Sequence, residues 1–231
     1  MSKLREEFIS FAVASGVLLF GEFTTKAGRV SPYFFNAGLF NRGALLGQVA
    51  RYYAKTLLAA QRQRGLGFDM LFGPAYKGIT LASATAVALS QIDAGEGGRD
   101  VPFAFNRKEA KAHGEGGSIV GAPLEGDVVI IDDVISAGTS VRESVDVIRA
   151  SGATPCAVLI ALDRQERGGN ADVLSTHSAV EEVEHDFAIP VLSIANLDDI
   201  MRYIEAREGA ALGQYAGAIA QYRARYGIGQ R

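Results

Sequence analysis

The segment VVIIDDVISAGTS, from Val128 to Ser140, is the most informative part of this sequence. Its first four residues are β-branched and apolar, as expected of a short strand that is buried on both faces of a sheet. Two carboxylates, Asp132 and Asp133, follow directly, and small residues from Ser136 onward precede a helical pattern. Because ligands of open α/β sheets bind outside the carboxyl ends of the strands, this stretch predicts a ligand site.

The small-residue loop has the composition of a phosphate-binding loop. Gly138 allows backbone angles that a Cβ forbids, so that consecutive N–H groups can converge on one anion. Ser136, Thr139 and Ser140 offer hydroxyl donors, and the helix predicted over 141–150 points its positive end at the same place. Because the two acids repel a phosphate, we expect them to face sugar hydroxyls, a magnesium ion or both.

From the residues alone, the acid pair also fits two other interpretations. A strand can end in two solvated acids before a capped helix. An acid pair after an apolar strand also occurs in Walker B segments, but these need a G-x-x-x-x-G-K-[ST] loop, which this sequence lacks. The strand, the acids and the small-residue loop together favour a phosphate and sugar site.

Length and composition indicate a globular chain with a small anionic ligand. The chain has 231 residues, 48% of them hydrophobic and 21% charged, and we expect a single domain over 1–231. The net charge of −3 argues against a nucleic-acid partner. No apolar stretch is long enough to span a membrane and no secretory signal opens the chain, so we expect a cytoplasmic protein without a membrane partner. The single cysteine excludes an internal disulfide, and the histidines lack metal-ligand spacing.

Helical and strand patterns alternate along most of the chain. Helices are predicted near 4–13 and 42–64, with a Gly-rich aromatic segment between them at 16–40. The later elements are predicted as strand 69–72, helix 79–90, strand 102–105, a charged loop, strand 128–131, helix 140–150, strand 157–162, helix 179–187, strand 191–194 and two C-terminal helices. This alternation predicts an α/β fold with a mostly parallel central sheet flanked by helices.

Five stretches in this order resemble the type I phosphoribosyltransferases, and within them the orotate phosphoribosyltransferases. They are Gly21–Asn41, Phe72–Ile79, Phe105–Gly117, the opening stretch and Leu162–Gly168. The resemblance implies the type I phosphoribosyltransferase fold, with a core over residues 41–195 and a small hood formed by residues 1–40 and C-terminal elements. It also implies transfer of a phosphoribosyl group from 5-phosphoribosyl 1-pyrophosphate (PRPP) to orotate in pyrimidine synthesis, with Mg²⁺ as cofactor.

The resemblance also assigns residues to each substrate. Catalytic roles are implied for Lys111, Arg107, Asp132 and Asp133. Residues implied to bind PRPP are Lys26, Tyr76, Lys77, Arg107, Lys108, Lys111, His113, Asp132, Asp133, Val134, Ile135, Ser136, Ala137, Gly138, Thr139 and Ser140. No direct protein ligand of Mg²⁺ is implied; the substrate would hold the ion, with Asp132 or Asp133 acting through water.

For orotate, the resemblance implies Phe34, Phe35, Ser136 and Arg164. Judged by residue type alone, adjacent aromatic residues usually pack in a core. The Arg164 guanidinium suits the carboxylate of orotate, but an ion pair with Asp163 or Glu166 is an open alternative.

Two further segments have roles implied by the resemblance. The turn from Gly73 to Gly78 is similar to the family's pyrophosphate-binding loop, which often contains a non-proline cis peptide. The charged run from 107 to 117 has the composition of a solvated loop. It is similar to the family's catalytic lid, which closes over the active site of the neighbouring subunit, and this implies a homodimer.

Two competing functions are less well supported by the sequence. Transfer to another base is disfavoured by Phe34, Phe35 and Arg164. A regulator that binds PRPP is disfavoured by the lysine-bearing lid and by the lack of a recognisable DNA-binding module. The departures from the family pattern are small, namely Ser136 in place of the more frequent threonine and a long connection over 169–177.

Overall fold

A computed structural model describes residues 1–25, 27–111, 117–169, 173–207 and 212–228, without the side chains of 109–111 and 117. Its helices are α1 (Lys3–Ala14), α2 (Gly43–Arg64), α3 (Lys77–Ser90), α4 (Thr139–Ala150), α5 (Ala179–Phe187), α6 (Leu197–Glu205) and α7 (Ala216–Tyr226). Its strands are β1 (Leu18–Thr24), β2 (Val30–Phe35), β3 (Met70–Gly73), β4 (Phe103–Lys111), β5 (Gly117–Gly121), β6 (Asp127–Asp132), β7 (Thr154–Asp163), β8 (Arg167–Gly169), β9 (Leu174–Ser178) and β10 (Val191–Asn196).

The central sheet has six strands in the order β10–β7–β6–β3–β4–β5. All neighbouring strands are parallel except β4 and β5, which form an antiparallel pair. From β3 the chain continues to β4 on one side, whereas β6, β7 and β10 follow one another on the other side. The gap between the carboxyl ends of β3 and β6 is therefore the topological switch point, where ligands of such sheets bind.

Alternate residues of the central strands bury opposite faces of the sheet. On β6, Val129 and Ile131 belong to the cluster that contains side chains of α1, α2, α3 and α6. Val128 and Ile130 belong to a second cluster with side chains of α4 and α5. All four are completely buried, as a strand covered on both faces requires. The predicted α/β fold with helices on both faces is confirmed.

A small layer beside the sheet joins the two ends of the chain. Strands β1 and β2 form an antiparallel hairpin, and α7 packs on β2. The rings of Tyr33 and Tyr222 meet edge to face at 6.2 Å, and the Arg29 guanidinium lies 4.9 Å from the ring centre of Tyr226. These contacts join the segments that we expect to form the hood.

The structure differs from the sequence prediction in the charged segment. We predicted a loop over 107–117, but β4 continues to Lys111 and pairs with β5 from Gly117. This segment has polar residues on both faces of the strand, so the apolar alternation that reveals a half-buried strand is missing. The strand pair β1 and β2 in the aromatic segment over 16–40 was also not predicted, and neither were β8 and β9, which overlap the connection over 169–177.

Smaller differences concern element ends and the C-terminal region. Helix α3 begins at Lys77, two residues before the predicted start at Ile79, so Lys77 lies in its first turn. The two predicted C-terminal helices are α6 and α7. Within the described part of the chain, none of the helices is both long and apolar enough to cross a membrane.

Candidate active site

Two loops meet at the switch point of the sheet. One connects β3 to α3 over Gly73–Lys77, and the other connects β6 to α4 over Asp132–Thr139. Lys77 Nζ lies 2.6 Å from Asp133 Oδ2 and donates a hydrogen bond to it. The Asp133 side chain is 9% exposed, whereas that of Lys77 is 52% exposed, so the pair lies at the mouth of the site.

The first loop is tight because its two glycines approach other backbone atoms closely. A Cβ on Gly78 would lie 2.6 Å from Pro74 Cδ and 2.8 Å from the carbonyl oxygen of Ile131. The peptide bond between Ala75 and Tyr76 is cis, as the resemblance implies. The Ala75 N–H donates to Oδ1 of Asn106 on β4 at 2.7 Å. This bond ties the loop to the neighbouring strand.

The two acids of the second loop have different surroundings. Asp132 Oδ1 accepts from the Asp133 N–H at 2.9 Å, and Asp132 Oδ2 accepts from the Ser140 hydroxyl at 3.0 Å. Burial of the Asp132 carboxyl, together with the charge of Asp133, raises the pKa of Asp132 to about 7. Tyr53 from α2 donates to the main-chain carbonyl of Asp132 at 2.7 Å. A pKa of about 7 leaves Asp132 half protonated near neutral pH, whereas Asp133 is paired with Lys77.

The loop after the acids is open to an anion. Gly138 has a φ of 71°, the left-handed region that glycine favours. Helix α4 begins immediately afterwards without a side-chain cap at its N-terminus, and α3 also begins without one. Ser136, Ala137 and Thr139 are exposed. Two helix N-termini with available N–H groups thus face one edge of the sheet, an arrangement suited to phosphate.

Cationic groups of β4 lie beside the first loop. Lys108 Nζ is 5.2 Å from the ring centre of Tyr76, whose side chain is exposed. Arg107 Nη1 is buried and has no hydrogen-bond partner among the described residues. The backbone of Lys111 belongs to β4, but its side chain, Lys26 and His113 lie outside the described part of the chain.

The two predicted phenylalanines of β2 differ in burial. Phe34 is 39% exposed and stacks on Phe23 with ring centres 5.5 Å apart. Phe35 is 9% exposed and packs 6.3 Å from Phe8 and Phe40. This follows from the strand's period of two. Only Phe34 presents a ring that could cover a ligand, so any contribution from Phe35 comes from its backbone.

Arg164 follows β7 and is paired with Glu166. Its Nε donates to Glu166 Oε1 at 2.9 Å, so the ion pair that the sequence left as an alternative is present. The end of β7 is joined to the acid loop, because the N–H groups of Ala161 and Leu162 donate to the carbonyl of Asp133 at 2.9 Å and 3.3 Å. Arg164 therefore follows a strand that ends beside the acids.

The oxygen donors at the switch point fit a magnesium ion that a substrate carries. Among the described residues, no cluster of three or more histidine, cysteine or acidic side chains could enclose a metal. Magnesium is usually bound by one or two carboxylates, with water and substrate phosphates as its other ligands. Asp132 and Asp133, next to a loop suited to phosphate, fit that pattern.

Two residues of the site were missed by sequence reasoning. Tyr53 lies in the apolar pattern of α2, where a tyrosine gives no sign of a distant carbonyl partner. Asn106 had a detectable signal, since it is a polar residue directly after the apolar strand residues 103–105. Its bond to Ala75 spans 31 positions, and a single sequence does not reveal such a pairing.

Comparison with known proteins identifies the family. The family model for the phosphoribosyl transferase domain matches residues 42–188. An orotate phosphoribosyltransferase of Herminiimonas arsenicoxydans is 65% identical over 229 residues, which cover 99% of this chain and 100% of that protein. One of Cupriavidus necator is 64% identical over 225 residues, 97% of this chain and 95% of that protein. A crystal structure of orotate phosphoribosyltransferase from Francisella tularensis, 40% identical, matches with a TM-score of 0.79 over 96% of this chain and 99% of that one. The chain therefore belongs to the phosphoribosyltransferase family, and within it to the orotate phosphoribosyltransferases.

Proposed function

We propose that the loops at the switch point bind the two ends of PRPP while it reacts with orotate. The reaction of this family gives orotidine 5′-monophosphate and pyrophosphate. The observation that carries the proposal is the 2.6 Å contact between Lys77 and Asp133. This contact places a cation of one loop next to a carboxylate of the other. PRPP has a sugar between two phosphate groups, so its binding calls for a cation near a phosphate and a carboxylate near the sugar hydroxyls.

The 5′-phosphate is assigned to the loop after the acids. Residues 134–140 supply backbone N–H groups, the hydroxyls of Ser136 and Thr139, and the N-terminus of α4. A hydrogen bond to a charged acceptor contributes about 1.5–3 kcal/mol, so several of them hold a phosphate monoester without a lysine. This group does not react, and its binding energy positions C1′ of the ribose.

The pyrophosphate is assigned to the Gly73–Gly78 loop with Tyr76 and Lys77. Arg107 and Lys108 lie on the adjacent strand, and the unpartnered Arg107 Nη1 is a donor for a phosphate oxygen. The resemblance adds Lys26, Lys111 and His113. Because the C1′–O bond breaks toward this group, cations here stabilise the charge that develops in the transition state.

The acids are assigned to the ribose hydroxyls, and orotate to the opposite face of the sugar. As the leaving group departs, C1′ gains oxocarbenium character, which the nearby carboxylate of Asp133 favours electrostatically. N1 of the orotate anion then forms the new bond to C1′. The ring of Phe34 would cover the pyrimidine, Ser136 would lie at its edge, and Arg164 would pair with its carboxylate.

Magnesium would be held by phosphate oxygens of PRPP, with Asp132 or Asp133 contributing through water. When bound, the ion supplies positive charge that stabilises the leaving pyrophosphate. We further propose a cytoplasmic homodimer in which residues 107–117 close over the partner's site, and a hood formed by residues 1–40 with C-terminal elements. Closure would keep water away from the oxocarbenium ion.

The test is a product assay with separate bases. The protein is incubated with PRPP and Mg²⁺ and with orotate, uracil, adenine or hypoxanthine, and nucleotide and pyrophosphate are quantified. We expect equal amounts of orotidine 5′-monophosphate and pyrophosphate with orotate alone, and a large loss in the Asp133→Asn variant. Turnover with another base only, or binding of PRPP without turnover, would contradict the proposal.

A further inference from the structure

The side chain of Glu166 is the centre of a buried cluster next to Arg164. Its Oε1 accepts from Arg164 Nε at 2.9 Å and from the Tyr33 hydroxyl at 2.9 Å. Its Oε2 lies 3.8 Å from Arg29 Nη1, and the Glu166 side chain is 13% exposed. One carboxylate thus contacts three donor side chains, from β2, from the segment before it and from the segment after β7.

The two arginines of the cluster, Arg29 and Arg164, differ in their exposure and in their other contacts. Arg29 is 3% exposed and donates to the carbonyls of Arg167 and Gly168 at 2.8 Å and 3.1 Å, so it holds the chain after β7. Arg164 is 22% exposed. Two arginines contact the single negative charge of Glu166, and Arg164 is the more exposed of the two.

The geometry leaves part of the Arg164 guanidinium available. Glu166 Oε1 contacts the edge of the guanidinium formed by Nε at 2.9 Å and by the buried Nη2 at 2.8 Å. The guanidinium lies 5.3 Å from the ring centre of Tyr33, which packs against one side. Because a guanidinium presents its five donors in one plane, fixing Nε fixes where the terminal nitrogens point.

We propose that Glu166 is a positioning residue that orients Arg164 toward the carboxylate of orotate. Holding the edge formed by Nε and Nη2 at the Glu166 oxygen leaves the outer N–H groups of the two terminal nitrogens for a planar carboxylate, which they can bind with two parallel hydrogen bonds. The ion pair between Arg164 and Glu166 then supports orotate binding by Arg164, and the two roles of Arg164 do not exclude each other. The proposal rests on the proposed function, because it takes Arg164 as the orotate contact.

The main test compares the KM values of both substrates in Glu166→Gln. This change removes the charge and keeps the size of the side chain. We expect the KM for orotate to rise about tenfold, equivalent to about 1.4 kcal/mol, while the KM for PRPP stays within about twofold. A structural role alone would alter both KM values, because both substrates bind to one folded site.

Asp198→Asn is the matched control. Asp198 forms a similarly buried ion pair with Arg223 of α7, and its side chain is 14% exposed. This change removes the same charge from a pair that has no proposed orotate contact. We expect lower thermal stability with both KM values unchanged. An equal rise in the orotate KM in this variant would overturn the proposal.

Two further variants separate the possible failures. If Arg164→Ala leaves the orotate KM unchanged, the assignment of Arg164 to orotate is wrong. If Arg164→Ala raises it and Glu166→Gln does not, only the positioning role is wrong. In the Arg164→Ala background, Glu166→Gln should add nothing, since it acts through Arg164. If Glu166→Gln does not fold, Glu166→Asp retains the charge and withdraws it from Nε, and the same split of KM values is expected.

Discussion

The carboxyl of Asp132 has an environment that differs from that of its neighbour. Asp133 is paired with Lys77, whereas Asp132 accepts only from the Asp133 N–H and the Ser140 hydroxyl among the described residues. Burial and the nearby charge of Asp133 raise the pKa of Asp132 to about 7. Asp132 is thus half protonated near neutral pH and can donate a hydrogen bond, whereas Asp133 is paired with Lys77.

The raised pKa of Asp132 predicts a pH dependence of stability. The unfolded carboxyl has a pKa of about 3.9, so between about pH 4 and pH 7 the folded state binds a proton that the unfolded state has released. The free energy of unfolding should therefore fall as pH rises through this window. Asp132→Asn should remove that part of the slope, measured by urea unfolding from pH 4 to 8.

A direct readout is the ¹³C titration of the Asp132 carboxyl by NMR, with Asp132→Asn used for assignment. We expect a midpoint near 7 in the protein without substrate, the value to which burial and Asp133 raise its pKa. A midpoint near the ordinary value of about 3.9 would contradict this description of the acid pair.

Local pattern could predict some of these side chains but not others. Asp132, Asp133 and Gly138 were predicted because a buried strand, acids and small residues follow one another in one short stretch. The contribution of Tyr53 depends on a hydroxyl reaching a carbonyl 79 positions away, which the pattern of α2 does not encode. The burial of Phe35 and exposure of Phe34 depend on which face of β2 packs on the core.

The two loops at the switch point are held together through their glycines and strand ends. Gly78 lies against both Pro74 in its own loop and the Ile131 carbonyl at the end of β6. The loop can therefore take its position only because no side chain separates α3 from β6. The backbone conformation of the loop and the close packing at Gly78 therefore place Lys77 beside Asp133.

Gly78→Ala is expected to destabilise the protein by roughly 2–3 kcal/mol, since the added methyl overpacks the contact between α3 and β6. Activity should fall as Lys77 shifts. The matched control is Gly217→Ala in α7, where an added Cβ meets no atom within 4 Å; alanine is preferred in a helix, so stability should be unchanged or higher. Equal melting temperatures for both variants would show that the Gly78 contact does not matter.

The charged strand shows where element prediction from sequence failed. Residues up to 105 carried an apolar strand signal, but the remainder of β4 has charged and polar side chains on both sides. Its pairing with β5 depends on backbone hydrogen bonds, which any sequence can form. By contrast, α5 and α6 begin with capping boxes at Ser178 and Asn196. The sequence prediction placed the start of α5 correctly.

The chain as a whole combines a parallel core with a layer made from both termini. The core was predictable because its strands are apolar runs separated by helical patterns. The terminal layer was implied only by resemblance, since contacts such as that between Arg29 and Tyr226 join residues almost two hundred positions apart. Arg29 of this layer contacts Glu166, and Glu166 contacts Arg164, the residue proposed to bind orotate.

If the lid acts across subunits, two inactive variants should complement each other. Lys111→Ala lacks a lid cation, and Asp133→Asn lacks a site carboxylate. After subunit exchange, half of the dimers are mixed and each has one intact site, so activity should recover to about a quarter of the wild-type value. The measurement is product formation, with mixed dimers verified by native mass spectrometry.

The control for complementation mixes Lys111→Ala with the double variant Lys111→Ala and Asp133→Asn, which contains no intact lid and should stay inactive. Absence of activity in a sample of verified mixed dimers would show that the lid closes over its own subunit.

The two loops at the switch point are proposed to hold opposite ends of PRPP. The most direct measurement is a crystal structure of the protein with PRPP and Mg²⁺ in the absence of orotate. We predict the 5′-phosphate at the backbone N–H groups of residues 136–140, the pyrophosphate at the Gly73–Gly78 loop, and Asp133 turned from Lys77 to the ribose hydroxyls. Phosphates bound elsewhere on the sheet, with Lys77 and Asp133 still paired at 2.6 Å, would show that the two loops do not bind PRPP in this way.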